Sequence, residues 1–450
     1  MKKIDEMLHT FESWLENPEG VNIHESDIAK LLKKLKKRDD ELFLEYLKKI
    51  PNDILGDVLL ELPEKLKDEA ISSLTTKDLA SAVEALESDD ATDLIQDIED
   101  IDENKSEDVI SKLDEEDQED IEKLLRYDDD QAGAYMQTEV FDASLDEDIA
   151  SAVARLKELK ANDELENVHN VFIVDDEGHL MGAVALEDLI TLDFSTTFQS
   201  ILASGDYETR EVKSIDPIED VAQVFEQYNL NAVAVVDWQN KLVGRITADD
   251  IIDVIEELAT EQIYSMAGVD EETEYEEDLK AVTRKRASWL FINLLTAIAA
   301  SFVIALFDET LQAYIPLAIL MPIVASMGGN AGTQTLTVMV RQIALGDIDS
   351  ENAKEAIFKE ILVSFFNGLL FAGLMGLIAY LWFENSMLGF VIAIAMIINM
   401  LTAGLFGAMV PLTLKKFEID PAVGSTVVLT TATDVIGFFA FLALAKGMLV

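Results

Sequence analysis

The sequence predicts a multidomain membrane protein, with an all-α superhelical N-terminal domain, a duplicated α/β domain, a connecting helix and a transmembrane domain of five α-helices. The prediction rests on how charge and apolar residues are distributed. The 450 residues include 87 Asp and Glu against 34 Lys and Arg, which gives a formal net charge of -53. Nearly all of this excess precedes residue 280, whereas long apolar stretches follow it. The length allows about three domains.

The composition also excludes several classes of function. Nucleic acids and anionic membrane surfaces bind clustered Lys and Arg, so the acidic part is predicted to bind cations and no nucleic acid. The absence of Cys removes disulfides, thiolate metal sites and thiol nucleophiles. The chain has four His and no HExxH, Walker or GxSxG motif, so we predict that it is not an enzyme.

Residues 1–131 are predicted to form the acidic helical domain. Leu, Ile and Val recur there at three- and four-residue spacings, as in Leu55, Val58, Leu59 and Leu62. Short helices are expected to be separated at Pro63, at Ser88–Asp89 and at Asp102–Glu103. This pattern indicates a stack of helical hairpins.

Residues 132–257 contain an internal repeat. Val168–Ile190 aligns without gaps onto Leu230–Ile252, and each copy predicts a strand, a polar turn, a second strand opening at Gly and a helix. The identical pairs are Val171/Val233, Val174/Val236, Asp175/Asp237, Leu180/Leu242, Gly182/Gly244 and Asp188/Asp250. The repeat resembles a tandem CBS pair, here 132–195 and 196–257. That resemblance implies a regulatory module that binds nucleotides or ions.

A nucleotide is a candidate cofactor of this pair. Thr247, Asp249 and Asp250 of the second copy are similar to the hydroxyl and acidic positions that hold ribose in other CBS domains. The first copy has Ala185 and Glu187 at the positions that match Thr247 and Asp249.

The transmembrane domain, 281–450, is predicted from five apolar stretches at 287–307, 312–340, 357–383, 388–414 and 421–449. Each can cross a bilayer, which takes about 20 residues of helix. Lys and Arg cluster before the first stretch, between the second and third, and between the fourth and fifth. By the positive-inside rule this predicts a multi-pass protein of the cell membrane, with the N-terminus cytoplasmic and the C-terminus outside.

Polar residues inside the second stretch point to an ion pathway. The sequence from Met327 to Gln334, with three Gly in five residues, is predicted to break the helix. A break at that depth must be buried in protein or line a wet cavity. Tight helix packing by small residues is the alternative, and Asn330 favours the pore lining.

The fifth stretch carries Asp434, the only carboxylate predicted well inside a span. Such a group is expected to be a proton or cation site. Thr426, Thr430 and Thr433 share a broad helix face with it, and Gly437 follows. Oxygen ligands without His or Cys indicate a hard cation, and Mg2+, which sheds water reluctantly, suits a sparse carboxylate site. One Asp per chain is little charge for a divalent ion, so we predict a homodimer around a twofold axis.

These parts, together with Met321–Ile348 and Asp420–Phe439, closely resemble the bacterial MgtE magnesium channel/transporter family. The resemblance implies a homodimer with an acidic helical N domain, a tandem CBS domain, a connecting plug helix, here 249–280, and five transmembrane helices. It implies that Asp434 is the pore aspartate that holds hydrated Mg2+. It further implies that Asp420 lies at the cytoplasmic mouth, where an ion bridges to the plug helix.

The plug helix is densely acidic, and like carboxylates one turn apart repel each other. A solvated surface is the simplest explanation from the residues alone. The resemblance instead implies that several cytosolic Mg2+ ions bind between the N domain, the CBS pair and this helix. The candidate ligands are Asp249, Asp250, Asp253, Glu256, Glu257 and Glu261, with Asp89, Asp90 and Asp93 on the N domain.

The predicted function is Mg2+-selective transport through a homodimeric pore that closes when cytosolic Mg2+ is high. A secondary carrier for Mg2+ or another divalent cation, such as Co2+ or Mn2+, is one alternative. A CBS-based membrane sensor without a pore is the other. Asp434 and the glycine-rich stretch argue against the sensor, because a simple membrane anchor needs neither.

Overall fold

The computed structural model describes residues 2–18, 20–162, 165, 167–205, 207, 209–269, 279–348, 352–417 and 419–450. The chain divides into two compact units, Met1–Ile255 and Glu256–Val450. The first unit holds short helices followed by two small sheets, and the second holds long apolar helices. The predicted multidomain membrane class is confirmed.

The N-terminal part of the first unit is all helical, as predicted. Its apolar residues, spaced three and four apart, form one buried core around Leu35, Phe43 and Val58. The predicted breaks mark helix starts, because Pro63 is the N-cap of α5, Ser88 begins α7 and Asp102 caps α8. The helices are α1 Lys2–Glu16, α2 Glu25–Lys36, α3 Asp40–Leu47, α4 Asn52–Leu60, α5 Glu64–Ser73, α6 Thr76–Val83, α7 Ser88–Ile101, α8 Glu103–Ile110 and α9 Glu115–Leu124.

The repeat folds as two three-stranded sheets of the same topology. In each sheet the first strand is parallel to the second, and the second is antiparallel to the third. The predicted Gly182 and Gly244 lie inside the third strands rather than at their start. The strands are β1 Asp142–Ser144, β2 Asn170–Val174, β3 Leu180–Ala185, β4 Glu211–Lys213, β5 Ala232–Val236 and β6 Leu242–Thr247. The helices are α10 Ile149–Ala161, α11 Leu186–Leu189, α12 Phe198–Leu202, α13 Ile218–Tyr228 and α14 Ala248–Ala267.

The two copies meet through equivalent residues. Leu180 N donates to Asn240 O at 3.1 Å, and Leu242 N donates to Gly178 O at 3.1 Å. His179 and Lys241, which occupy the same position in the repeat, pair as an isolated antiparallel β-bridge between these two hydrogen bonds. Reciprocal contacts of this kind indicate a local pseudo-twofold relation between the copies.

The second unit contains the C-terminal part of α14 and six further helices, α15 Leu279–Ala305, α16 Asp308–Ala313, α17 Pro316–Ala344, α18 Ala353–Phe383, α19 Ser386–Lys416 and α20 Ser425–Met448. Among the described helices, α15, α18, α19 and α20 are long and apolar enough to cross a membrane. Helix α17 is as long but carries more polar residues. The predicted plug helix, 249–280, corresponds in its first part to α14, and residues 270–278 lie outside the described residues.

The predicted break in the second span is wrong, because α17 runs without interruption from Pro316 to Ala344. The glycines serve helix packing instead. A Cβ atom on Gly328 would lie 2.1 Å from Asn399 Nδ2 of α19, and one on Gly332 would lie 2.7 Å from Leu429 of α20. Because glycine has no side chain, α17 can approach α19 and α20 closely. Tight helix packing by small residues is the alternative that was given for this segment from the sequence.

Replacing Gly407 by Ala should destabilise the second unit. The new Cβ would lie 2.9 Å from both the Gly332 carbonyl oxygen and Thr335 Cβ, so two helices must separate. Overpacking of this kind costs about 1 to 3 kcal/mol. Gly373→Ala is the matched control, since no atom lies within 4 Å of its added Cβ. Thermal unfolding in detergent should show a lower midpoint for Gly407→Ala only. Equal midpoints would contradict the packing described for α17 and α19.

Candidate cation sites

An acidic cluster lies where α7 meets the second CBS copy, and helix starts position its members. Asp89 and Asp90 occupy the first turn of α7, and Asp249 and Asp250 occupy the first turn of α14. Carboxylates are favoured there by the positive end of the helix dipole. The buried Thr247 hydroxyl donates to Asp249 and lies 2.8 Å from Asp250 Oδ2.

The pKa values show that these carboxylates interact across the junction. Burial raises the pKa of Asp89 well above its usual range, and Asp250 and Asp90 raise it further. Burial, then Asp250 and Asp57, raise the pKa of Asp90 to about 6. Burial is also the largest cause that raises the pKa of Asp250 to about 6, with Asp249 adding to it. The structure therefore brings together the candidates that the sequence placed on two separate domains.

The remaining predicted residues lie around or beyond this cluster. Asp93 is exposed to solvent on one side, and protein atoms surround the rest of its carboxyl group. Its pKa is raised, first by burial and then by the charge of Asp90. Asp253 is exposed on α14, in the first unit. Glu256, Glu257 and Glu261 are exposed on the part of α14 that belongs to the second unit.

The cluster has the charge for a cation but not a closed ligand set. Within the described ranges, no three Asp, Glu, His or Cys side chains converge tightly enough to hold a metal ion. Asp89, with 6% of its surface exposed, is nevertheless close enough to Asp90 and Asp250 for each to raise its pKa. This donor set fits a cation that keeps part of its water shell, as Mg2+ does.

Helix α20 carries the predicted pore residues. Asp434 is half-buried and Thr430, one turn earlier, is half-buried as well, whereas Asn330 on α17 is exposed and donates to Ser326 Oγ at 3.3 Å. Gly437 is buried against Asn399. Of the four residues predicted to share a broad face, Thr426, Thr430 and Asp434 are half-buried and Thr433 is completely buried. Adjacent helix positions point about 100° apart, which turns Thr433 into the protein.

The start of α20 contacts the end of α14. Thr426 Oγ1 donates to the Met266 carbonyl oxygen at 2.8 Å, and Met266 also packs near Ala422 and Leu429. The predicted mouth residue, Asp420, is exposed and accepts a hydrogen bond from Ala422 N at 2.8 Å. The end of α14 therefore touches the start of α20 close to Asp420.

Asn399 is a buried polar residue that the sequence reasoning missed. It has no exposed surface, its Nδ2 donates to Val324 O at 2.8 Å, and its Oδ1 has no hydrogen-bond partner among the described residues. It lies between Gly328 and Gly437, so both glycine positions singled out in the sequence meet at one side chain. The sequence feature that could have identified it is a single Asn within the apolar sequence of α19.

A cavity of about 390 Å³ lies at the first CBS copy and the segment after α12. Its lining residues are Leu180, Met181, Gly182, Leu202, Gly205, Tyr207, Thr209 and Glu211. The Thr209 hydroxyl is buried and has no partner in the described part of the chain. The sequence placed its nucleotide candidate elsewhere, at Thr247 in the second copy, and that candidate stays a prediction.

A helical acidic domain, a CBS pair and long apolar helices, one of which carries the half-buried Asp434, point to a membrane transporter. Comparison of the sequence with models of known protein families supports this class. Residues 321–444 match the MgtE family of divalent cation transporters, 23–130 match the MgtE intracellular N domain, and 132–194 and 205–257 match CBS domains. The chain is 34% identical to the magnesium transporter MgtE of Enterococcus faecalis over 72% of this chain and 70% of the relative. It is 31% identical to the magnesium transporter MgtE of Thermus thermophilus, over 73% and 72%.

The chain belongs to the MgtE family. Solved structures with a similar fold include the soluble part of a magnesium transporter, at 27% identity and a TM-score of 0.49, covering 57% of this chain and 99% of that one. Another is the cytosolic domain of the Mg2+ channel MgtE in complex with ATP, at 27% identity and a TM-score of 0.48, covering 54% and 92%.

Acidification without divalent cations should stabilise the acidic cluster. Asp90 and Asp250 have pKa values of about 6 in the folded chain, above the ordinary 3.8. Their charged forms therefore oppose folding at neutral pH. The penalty is relieved as pH falls through about 6 and is absent below about 4. In EDTA, the thermal midpoint of the first unit in the full chain should rise between about pH 8 and about pH 5.5.

The control separates this cluster from the general acidity of the chain. Asp90→Asn combined with Asp250→Asn should raise the midpoint at neutral pH and flatten its pH dependence. The exposed Asp129→Asn should leave the dependence unchanged. A double variant that keeps the full pH dependence would rule out the cluster as its source.

Proposed function

We propose that the chain carries Mg2+ across the cell membrane through a homodimeric pore whose opening is limited by cytosolic Mg2+. The observation that carries this proposal is Asp434, half-buried within α20, in a chain similar to relatives named magnesium transporters. We further propose that the N-terminus is cytoplasmic and the C-terminus outside, on the distribution of Lys and Arg. The proposed domains are 1–131, 132–195, 196–257 and 281–450, with the plug helix at 249–280.

In the proposed pore, Asp434 holds the ion, with Asn330, Thr430 and Gly437 beside it. A single carboxylate per chain can attract a hydrated divalent ion without stripping its water, and two chains supply two charges. Asp420 supplies a further carboxylate at the mouth, where α14 ends. Support comes from the contact between Met266 and Thr426, which joins this mouth to the connecting helix.

Gating is proposed to depend on the acidic cluster. Mg2+ bound between α7 and the start of α14 offsets the repulsion among Asp89, Asp90 and Asp250 and so stabilises the docked N domain. Loss of Mg2+ restores the repulsion and releases α14, whose far end contacts α20. By linkage, Mg2+ must bind the closed state more tightly than the open one. Asp93, Asp249, Asp253, Glu256, Glu257 and Glu261 are the further candidate ligands.

A coupled carrier for Mg2+ or another divalent cation would use the same residues. Current through protein in planar bilayers distinguishes the two. A channel gives a current that reverses at the Mg2+ equilibrium potential and ignores Na+ and proton gradients, whereas a carrier shifts its reversal with the coupling ion.

Asp434→Asn should reduce Mg2+ uptake into liposomes by about tenfold or more, because the amide keeps the shape and removes the charge that holds the ion. Asp308→Asn is the matched control, since its exposed carboxylate lies in a short helix between spans. Uptake is followed with a Mg2+-sensitive dye. Equal uptake by the Asp434 variant and the control would remove Asp434 from the ion pathway.

Mg2+ should protect the first unit from trypsin as its concentration rises through the millimolar range. Lys123, near the end of α9, donates to Val243 O of β6 at 3.1 Å, so docking of the N domain covers this cleavage site. Arg126 is exposed in the following segment. Cleavage after Lys123 should slow with Mg2+ and not with Na+ at equal ionic strength. A rate independent of Mg2+ would contradict the proposed gating.

A further inference from the structure

One buried cation of the first unit is unexplained by the proposed pore and sensor. Arg245, on β6, is among the largest fully buried side chains, with 2% of its surface exposed. Its equivalent in the first copy of the repeat is Ala183, so the Arg is a departure from the internal symmetry. A buried guanidinium is costly unless it is paired and fully hydrogen-bonded.

Arg245 meets these conditions by joining separate segments. Its Nε donates to Gln137 Oε1 at 3.0 Å, and its Nη1 donates to the Asn167 carbonyl oxygen at 3.1 Å. Its Nη2 lies 3.4 Å from Glu87 Oε1, the residue that precedes α7. Backbone bonds of 2.8 and 2.9 Å also link residues 137 and 245. The guanidinium thus ties the N domain to both copies of the CBS pair.

Glu87 stands directly before the acidic cluster. Ser88, the next residue, donates from its N and Oγ to Glu139 at 3.1 and 2.8 Å and accepts from Thr138 N at 2.8 Å. Asp89 follows and is buried. The first turn of α7 is therefore held in place by an ion pair at Glu87 and by the hydrogen bonds of Ser88 to the Glu139 carboxylate and the Thr138 amide.

We propose that Arg245 is a positioning residue for the regulatory cation site, and that it sets how much Mg2+ is needed to dock the N domain. This rests on the proposed gating. The guanidinium neutralises Glu87 at all physiological pH values, because Arg stays protonated. It thereby leaves Asp89, Asp90 and Asp250 as the charges that Mg2+ must offset. Without it, an added carboxylate repels the cluster and more Mg2+ is required for the same docking.

The test measures trypsin cleavage after Lys123 in the full-length protein over a Mg2+ titration. Arg245→Met keeps much of the apolar stem and removes the charge, and it should raise the Mg2+ concentration for half-protection about tenfold. Arg245→Lys should give an intermediate shift, because it restores the charge without the forked geometry. Arg155→Met is the control, since Arg155 pairs with Glu147 inside the first copy.

Glu87→Gln keeps the test decisive where Arg245→Met fails to fold. The half-buried Gln retains an acceptor oxygen for Arg245 and loses the charge pair. It should lower the Mg2+ concentration for half-protection, because it removes a carboxylate beside the cluster and leaves the guanidinium charge, and in the Arg245→Met background it should return the midpoint toward the wild-type value. Variants that unfold at lower temperature but keep the wild-type Mg2+ midpoint would overturn the inference and leave Arg245 a core residue.

The failure of this inference and that of the gating proposal give different results. A wild-type protein whose cleavage ignores Mg2+ overturns the gating. A wild-type protein that responds to Mg2+, with Arg245 and Glu87 variants that respond at the same concentration, overturns only the role of Arg245.

Discussion

Repulsion among carboxylates at the start of α7 and of α14 is the constraint on which the first unit depends. Burial raises the pKa of each of Asp89, Asp90 and Asp250, and the Asp250 charge raises the pKa values of Asp89 and Asp90 further, so the charged cluster is unfavourable unless a proton or a cation offsets the charge. Arg245 pairs with Glu87, the residue before this cluster. In the proposed gating, Mg2+ from solution offsets the charge of the other carboxylates, which would make the junction respond to the Mg2+ concentration.

Helix α14 connects that junction to the membrane helices. It begins beside Asp249 and Asp250, and near its other end the Met266 carbonyl oxygen accepts a hydrogen bond from Thr426 of α20. Its 20 residues correspond to about 30 Å of helix. The proposed gating uses this helix as its coupling element, and linkage then requires that a preference of α20 for one arrangement be matched by a change in cation affinity at the start of α14.

The features predicted best from the sequence are the strands of the repeat, because the local pattern of apolar and polar residues determines them. The alignment of the repeat places β2 on β5 and β3 on β6 residue for residue, because the apolar strands and the polar turn between them have the same lengths in both copies. The prediction of a helix break at Gly328 and Gly332 was wrong, because glycine residues occur both where a helix is broken and where two helices pack closely. Arg245 and Asn399 were missed because their partners, such as Glu87 and Val324, are remote in the chain.

The positions of the polar side chains on α17 and α20 bear on the form in which the proposed pore would hold its cation. Thr433 is buried and Gly437 faces Asn399, so the half-buried polar side chains of α20 in this region are Thr426, Thr430, Thr431 and Asp434. The Thr430 hydroxyl donates its hydrogen to the Thr426 carbonyl of its own helix, which leaves oxygen lone pairs as acceptors. A bare cation would need more ligands than this. A cation that keeps its water needs acceptors for the water hydrogens, and a carboxylate beside a hydroxyl oxygen supplies them.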